Sequence, residues 1–199
     1  MTVTETRFLV LMRIIAGSRK GRTLEAPAGS ATRPTADRVR QALFDMLLHA
    51  PWGGRNCIEG VRVLDGFAGT GALGLEALSR GAAFCTFFET DRAALGALRA
   101  NLAGCRMRDM AQVFAGSVLR PKQAAHPCGL VFLDPPYGQD LPAQALTALS
   151  RAGWIAPGAL IVIETGRDED TTVENAEFLA ERAHGAARLS IWRAGGGTE

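Results

Sequence analysis

The sequence predicts a doubly wound α/β fold, with a mainly parallel sheet and helices on both faces, from three observations. Short apolar, β-branched runs alternate with stretches of helical periodicity. A glycine-rich loop, Gly66-Phe67-Ala68-Gly69-Thr70-Gly71, joins one such run to the helical pattern that follows it. Three acids, Asp65, Glu89 and Asp134, close the first, second and fourth runs at their carboxyl ends, where ligands of such sheets bind. With 199 residues, 47% of them hydrophobic, the chain can bury one substantial core and is expected to form a single domain.

Residues 1–11 are expected to be a loose extension and carry no assigned function. Residues 12–16 and 22–26 flank Gly17-Ser18-Arg19-Lys20-Gly21, which reads as a β-hairpin with two cations at its tip. Thr35 can cap a helix with Asp37 in its first turn, and Val39, Ala42, Leu43, Met46 and Leu47 share one face. Residues 12–50 are thus expected to form a small hairpin-and-helix unit ahead of an α/β core over 58–194.

The core opens with a buried strand over 61–65, the glycine loop, and a helix over 72–79 whose N-terminus faces the ligand. A strand over 84–88 ends at Glu89, and a helix over 91–102 starts at Asp91. A short strand over 112–115 follows, then the run Leu130-Val131-Phe132-Leu133, a helix over 142–152 and a β-branched strand over 159–164. Residues 166–173 read as a polar loop, and the glycine-rich end from Gly195 as disordered. There is no internal repeat.

Gly69, Gly71 and Gly74 spell G-x-G-x-x-G, so a dinucleotide oxidoreductase is one reading of the loop. Asp65 speaks against it: a carboxylate just before the loop repels a pyrophosphate but pairs with an amino-acid ammonium group, which favours S-adenosylmethionine. Glu89, 18 residues beyond Gly71, can hold the ribose hydroxyls of either cofactor.

Asp134-Pro135-Pro136-Tyr137 ends the fourth run. Two prolines fix the backbone and withhold two N–H donors, leaving nearby carbonyls to face a ligand. Asp134 and the Pro135 carbonyl could accept the two hydrogens of an exocyclic amine while Tyr137 stacks on its ring. The same geometry serves guanine N2, adenine N6 and cytosine N4.

With both motifs in place the chain resembles class I S-adenosylmethionine-dependent methyltransferases, Asp65 to Gly71 matching the cofactor loop and Asp134 to Tyr137 the motif of amino-group methylases. The stretches Arg33-Pro34-Thr35-Ala36-Asp37-Arg38-Val39-Arg40-Gln41-Ala42-Leu43-Phe44 and 64–82 narrow the resemblance to the RsmD family, covering nearly all the chain from Met12. The resemblance implies a Rossmann-like, seven-stranded sheet closed by strands over 177–183 and 188–193, although Phe-Leu-Ala-Glu-Arg-Ala from Phe178 has helix-favouring composition. It implies methylation of a guanine N2 in small-subunit (16S) rRNA, with Asp134, Pro135, Pro136 and Tyr137 catalytic. Asp65, Phe67, Ala68, Gly69, Thr70, Gly71, Glu89, Thr90 and Ser117 would hold S-adenosylmethionine. Arg19, Lys20, Arg22, Arg33 and Arg38 would contact RNA, and Arg40 would stand outside the buried helix face with them. The chain departs from the family pattern twice: Gly66 stands where leucine is common, and Gly116-Ser117 where an acid near the adenine is common.

Charge distribution agrees with an RNA partner. The net charge is only +2, but residues 1–40 hold eight Lys and Arg against three acids. Cysteines 57, 85, 105 and 128 and histidines 49, 126 and 184 make no metal spacing, so no metal is expected and the thiols read as reduced. Arg13 cuts short the one apolar run near the N-terminus, so no spanning helix or secretory segment is expected and a cytoplasmic monomer is. A DNA adenine-N6 or cytosine-N4 methylase, an NAD(P)-dependent reductase and a catalytically silent RNA-binding assembly factor remain as alternatives.

Overall fold

The computed structural model describes residues 12–27, 34–136, 140–169 and 172–196, with side chains from 37 onward in the second stretch. Helix α1 (Pro34–His49) precedes β1 (Arg62–Asp65), α2 (Ala72–Ser79), β2 (Phe84–Glu89), α3 (Arg92–Gly104) and β3 (Ala111–Ala115). Then come β4 (Cys128–Leu133), α4 (Leu141–Arg151), β5 (Ile155–Gly166), β6 (Ala176–His184) and β7 (Ala187–Ala194). The seven strands lie in the order β3-β2-β1-β4-β5-β7-β6. The first five are parallel, and β7 runs antiparallel to both β5 and β6. Alternation along the strands splits the core. Val63, Cys85, Phe87, Leu130 and Phe132 pack with α1, α2 and α3, whereas Leu64, Phe88, Val131 and Leu133 pack with α4.

The order reverses between β1 and β4, so the loops after these strands flank a crevice at the switch point. The glycines after β1 make that approach possible. A Cβ on Gly74 would stand 2.3 Å from a Phe87 ring carbon, and one on Gly71, at φ +82°, 2.3 Å from a Leu98 methyl. Gly74 therefore serves the close packing of α2 on β2, and Gly71 the close approach of α3 to the loop.

The hairpin expected at 12–26 forms as an antiparallel ribbon with a single bridge, Arg13 to Thr23, and a 3-10 turn at Gly17–Arg19. Its backbone bonds run from Ile14 N–H to the Arg22 carbonyl (2.9 Å) and from Leu24 N–H to the Met12 carbonyl (2.7 Å). Two strands this short are marginal alone, and the ribbon is instead pinned to α2. Glu76, fully buried, accepts the N–H groups of Ile15 (2.7 Å) and Ala16 (3.0 Å) and the Arg80 Nε–H (2.7 Å). Arg40 completes this knot. At 5% exposure it donates to Asp37 (2.9 Å) and the Arg13 carbonyl (2.6 Å), with Nε 3.9 Å from Glu76. The expectation that Arg40 stands outside the buried face is thus corrected: a buried carboxylate needs a cationic partner, and Arg40 supplies it.

The C-terminal hairpin forms as expected. Phe178, in a segment of helix-favouring composition, crosses to Trp192 with ring centroids 5.0 Å apart, so strand pairing overrides local propensity. β5 is longer than expected, starting at Ile155 opposite Cys128. The polar loop expected at 166–173 is entered later, since β5 runs on to Gly166 against Ala187. Residues 1–11 and 197–199 lie outside the described residues.

Candidate active site

Asp65 sits at the end of β1, 2% exposed, with Oδ2 accepting the Gly74 N–H at 3.0 Å. Gly74 is the third residue of α2, so this carboxylate fills the anion position at the helix N-terminus. A pyrophosphate would have to displace or oppose it. Burial raises the Asp65 carboxyl to about 7; the Gly74 bond opposes the rise and the Glu89 charge adds to it. An arriving ammonium group would relieve that cost, and the site therefore fits the cationic amino-acid end of S-adenosylmethionine better than a dinucleotide.

Glu89, at the end of β2, holds the loop from the other side. Its Oε2 accepts the Gly69 N–H (2.6 Å) and its Oε1 the N–H groups of Thr90 (2.6 Å) and Asp91 (2.7 Å). A carboxylate offers about four acceptor directions, so hydroxyl donors can still be taken. Asp91 caps α3 by accepting the Ala94 N–H at 2.8 Å, the role expected from its position. Gly69, at φ +54°, has nothing within 4 Å of where a Cβ would stand, so the loop presents an open face there. Ala68 is buried and its N–H bonds the Phe88 carbonyl (3.0 Å), while Phe67 is half-buried against the β4–α4 side of the core. Ser117 accepts the Leu119 N–H (3.1 Å) just beyond β3, level with Glu89 through the Gly116 N–H to Glu89 carbonyl bond (2.9 Å).

Asp134 and Pro135 follow β4 directly. β1 and β4 are paired with Asp65 opposite Phe132, and the Gly66 N–H bonds the Phe132 carbonyl at 2.9 Å, which sets the Asp-Pro-Pro turn beside the loop. Pro135 is buried and Asp134 and Pro136 are exposed. The Asp134 carboxyl is raised to about 7 by crowding from surrounding protein, then by the charges of Glu164 and Asp65. Crowded on its protein side yet open by surface area, it remains within reach of water, which screens its charge; its accessibility governs what it can do. Tyr137 lies outside the described residues.

Glu164 is the acid that the sequence reading passed over. β5 pairs with β4 so that Leu133 faces Ile163, which brings Glu164 level with Asp134. Neighbouring parallel strands thus carry acids at their carboxyl ends, and that repetition was the available signal. Glu76 and Asn101 also went unnoticed. Asn101, 3% exposed on α3, accepts the Glu25 N–H (2.6 Å) and donates to the carbonyls of Glu25 and Thr70 (3.0 Å each).

The expected RNA-contacting cations of the ribbon do not gather at this crevice. Arg19 is half-buried, its Nε donating to the Cys105 carbonyl (2.6 Å) and its N–H to the Ser79 Oγ (3.0 Å). Ser79 ends α2, eight residues and so about 12 Å along the axis from the glycine loop. Lys20 and Arg22 are exposed at that same far end, Arg38 is exposed on α1, and Arg33 lies outside the described residues. Cys57, Cys85, Cys105 and Cys128 are free thiols. Among the described residues, no group of three or more His, Cys, Asp or Glu could hold a metal, and no helix is long and apolar enough to cross a membrane.

The model of a family described as conserved hypothetical protein 95 matches residues 12–193. A relative from Haemophilus influenzae, the ribosomal RNA small subunit methyltransferase D, is 38% identical over 92% of this chain and 93% of its own length. The protein of the same name from Escherichia coli is 42% identical over 77% of this chain and 74% of its own. Among solved structures, the yhhF protein of Escherichia coli superposes with a TM-score of 0.80 at 36% identity, covering 94% of this chain and 99% of that one.

Proposed function

Because the chain belongs to the conserved hypothetical protein 95 family, which is the RsmD family of small-subunit rRNA methyltransferases, we propose that it methylates a guanine N2 amine in 16S rRNA with S-adenosylmethionine. One observation carries the reading: an open Asp-Pro-Pro turn after β4 adjoins a glycine loop whose helix N-terminus is already occupied by Asp65. That pairing suits an amine acceptor beside a cofactor without phosphate. The names of the relatives favour guanine in ribosomal RNA over an amine in DNA.

Asp65 and the Thr70–Gly71 turn would hold the amino-acid end of the cofactor, Glu89 with Thr90 its ribose, and Phe67, Ala68, Gly69 and Ser117 its flanks. When bound, the cofactor supplies an electrophilic methyl group. Asp134 and the Pro135 carbonyl accept the two hydrogens of the exocyclic amine and so aim its lone pair across the crevice. Pro136 keeps the turn rigid, and Tyr137, next in the chain, supplies an aromatic face for the unstacked base. No strong base is required, since the proton is shed after the amine has become cationic. A carboxyl near 7 can stabilise that charge and accept the proton.

Arg38 and Arg33 would meet RNA on the α1 side, and Arg19, Lys20 and Arg22 would meet a more distant stretch of a large folded RNA or assembling small subunit. The protein would work as a cytoplasmic monomer without a metal. Incubation with radiolabelled S-adenosylmethionine and naked 16S rRNA, assembled subunits or DNA, followed by nucleoside analysis, tests the assignment. The expected product is N2-methylguanosine from RNA. Label on N6-methyladenine or N4-methylcytosine in DNA would overturn it, and no label anywhere would favour a silent assembly factor.

A further inference from the structure

We propose that Asn101 is a positioning residue that ties the cofactor loop to the N-terminal ribbon, so that docking of the ribbon sets the affinity of the cofactor site. The proposal rests on the reading of that loop as the S-adenosylmethionine site. The Asn101 amide is used on both sides. Its Oδ1 accepts the Glu25 N–H at 2.6 Å and its Nδ2 donates to the Glu25 carbonyl at 3.0 Å, a two-bond pairing that treats the ribbon as a strand. The second Nδ2 hydrogen goes to the Thr70 carbonyl, also at 3.0 Å.

Thr70 lies between the two left-handed glycines of the loop. On one side the Gly69 N–H is held by Glu89 at 2.6 Å, and on the other Gly71 takes φ +82° to start α2. The peptide between Gly69 and Gly71 is thus fixed by two side chains from two different elements, Glu89 at the end of β2 and Asn101 in α3. Only the second also grips the ribbon. At 3% exposure the amide is shielded from water, so water cannot replace the bonds that a substitution removes.

A structural role alone would lower thermal stability without selectivity for the ligand; a positioning role predicts a selective loss. Asn101→Asp keeps the acceptor for Glu25 and loses both donors, placing a carboxylate against the Thr70 and Glu25 carbonyls. Asn101→Ala removes all three bonds. Glu25→Pro withdraws the ribbon N–H alone and leaves Asn101 intact. Binding of S-adenosylhomocysteine by calorimetry reads the effect directly, with circular dichroism and melting confirming the fold.

The expected result is a weakening of about tenfold for both Asn101 variants and about threefold for Glu25→Pro. KM for S-adenosylmethionine should rise in step, while kcat at saturating cofactor stays within about twofold. Unchanged affinity in any folded Asn101 variant overturns the proposal, as does a loss confined to kcat. If neither Asn101 variant folds, Glu25→Pro decides it by the same affinity. Failure of the wild-type protein to bind S-adenosylhomocysteine would overturn the cofactor reading, and with it this proposal, an outcome distinct from an Asn101 variant that binds normally.

Discussion

The ends of β1 and β4 lie side by side in the sheet, each bears an aspartate, and both carboxyls are raised to about 7, yet their surroundings differ in kind. Asp65 is sealed at 2% exposure with one oxygen on a backbone N–H, and its first neighbour in charge is Glu89 of the loop system. Asp134 opens to solvent just ahead of a buried proline, and its first neighbour in charge is Glu164. A sealed carboxylate can serve only a ligand that brings its own positive charge. An open one can exchange hydrogens with a substrate that comes and goes. The two strand ends therefore divide holding from reacting.

The sharpest way to break this division is Asp134→Ala. Methyl transfer in single-turnover assays should fall about 10²–10³-fold, while S-adenosylhomocysteine affinity by calorimetry should stay within about twofold. An equal loss of affinity would show that the two ends form one site. Asp65→Asn should do the reverse and weaken that affinity about 10–100-fold, the worth of a charge-assisted contact.

A stability measurement sharpens the same contrast. The folded-state pKa of Asp65 stands above the unfolded value of about 4, so the native protein binds the extra proton between about pH 4 and 7. Stability should decline as pH rises through that window and level off above it. Asp65→Asn should lessen the decline, leaving the share that Asp134 adds over the same window, and its Tm at pH 8 should exceed that of the wild type by a few degrees, at about 2–4 °C per kcal/mol, with no gain at pH 4. Affinity for S-adenosylhomocysteine should follow the same group in the wild type, weakening about tenfold from pH 8 to pH 6 as the carboxylate is protonated. A flat profile would mean that Asp65 does not meet the ammonium group.

The smallest effect concerns the ribbon tip. Lys20→Gln or Arg22→Gln should weaken RNA binding by about two- to fivefold and lower the slope of log affinity against log salt by about 1 each. A filter-binding salt series measures both; an unaltered slope would confine RNA contact to the crevice side.

Much of this was legible because local pattern and long-range structure agree in the core. Helix α2 falls at the expected residues, and β2 ends at Glu89 as expected. The end of β4 was marked by its prolines. The residues that escaped notice owe their roles to partners far along the chain. In Gly-Leu-Glu-Ala-Leu-Ser, Glu76 looks like any solvent-facing helical acid, and only the ribbon backbone 61 residues earlier makes it buried. Asn101 resembles a surface amide for the same reason. Helical spacing sets Arg40 apart from the apolar face of α1, and only its partner Glu76, 36 positions on, accounts for its burial. The hairpin tip was rightly seen as a turn carrying cations, but composition alone cannot say at which end of α2 it docks.

The 61-residue reach of Glu76 has a consequence for synthesis. Translation delivers the chain from its N-terminus, so Ile14 and Leu24 emerge long before Glu76 and Asn101 exist to receive their backbone neighbours. The ribbon must wait for its docking partners until α2 and then α3 have been made. In order of assembly, the ribbon over 12–27 precedes α2 and α3 in the chain yet locks only after them.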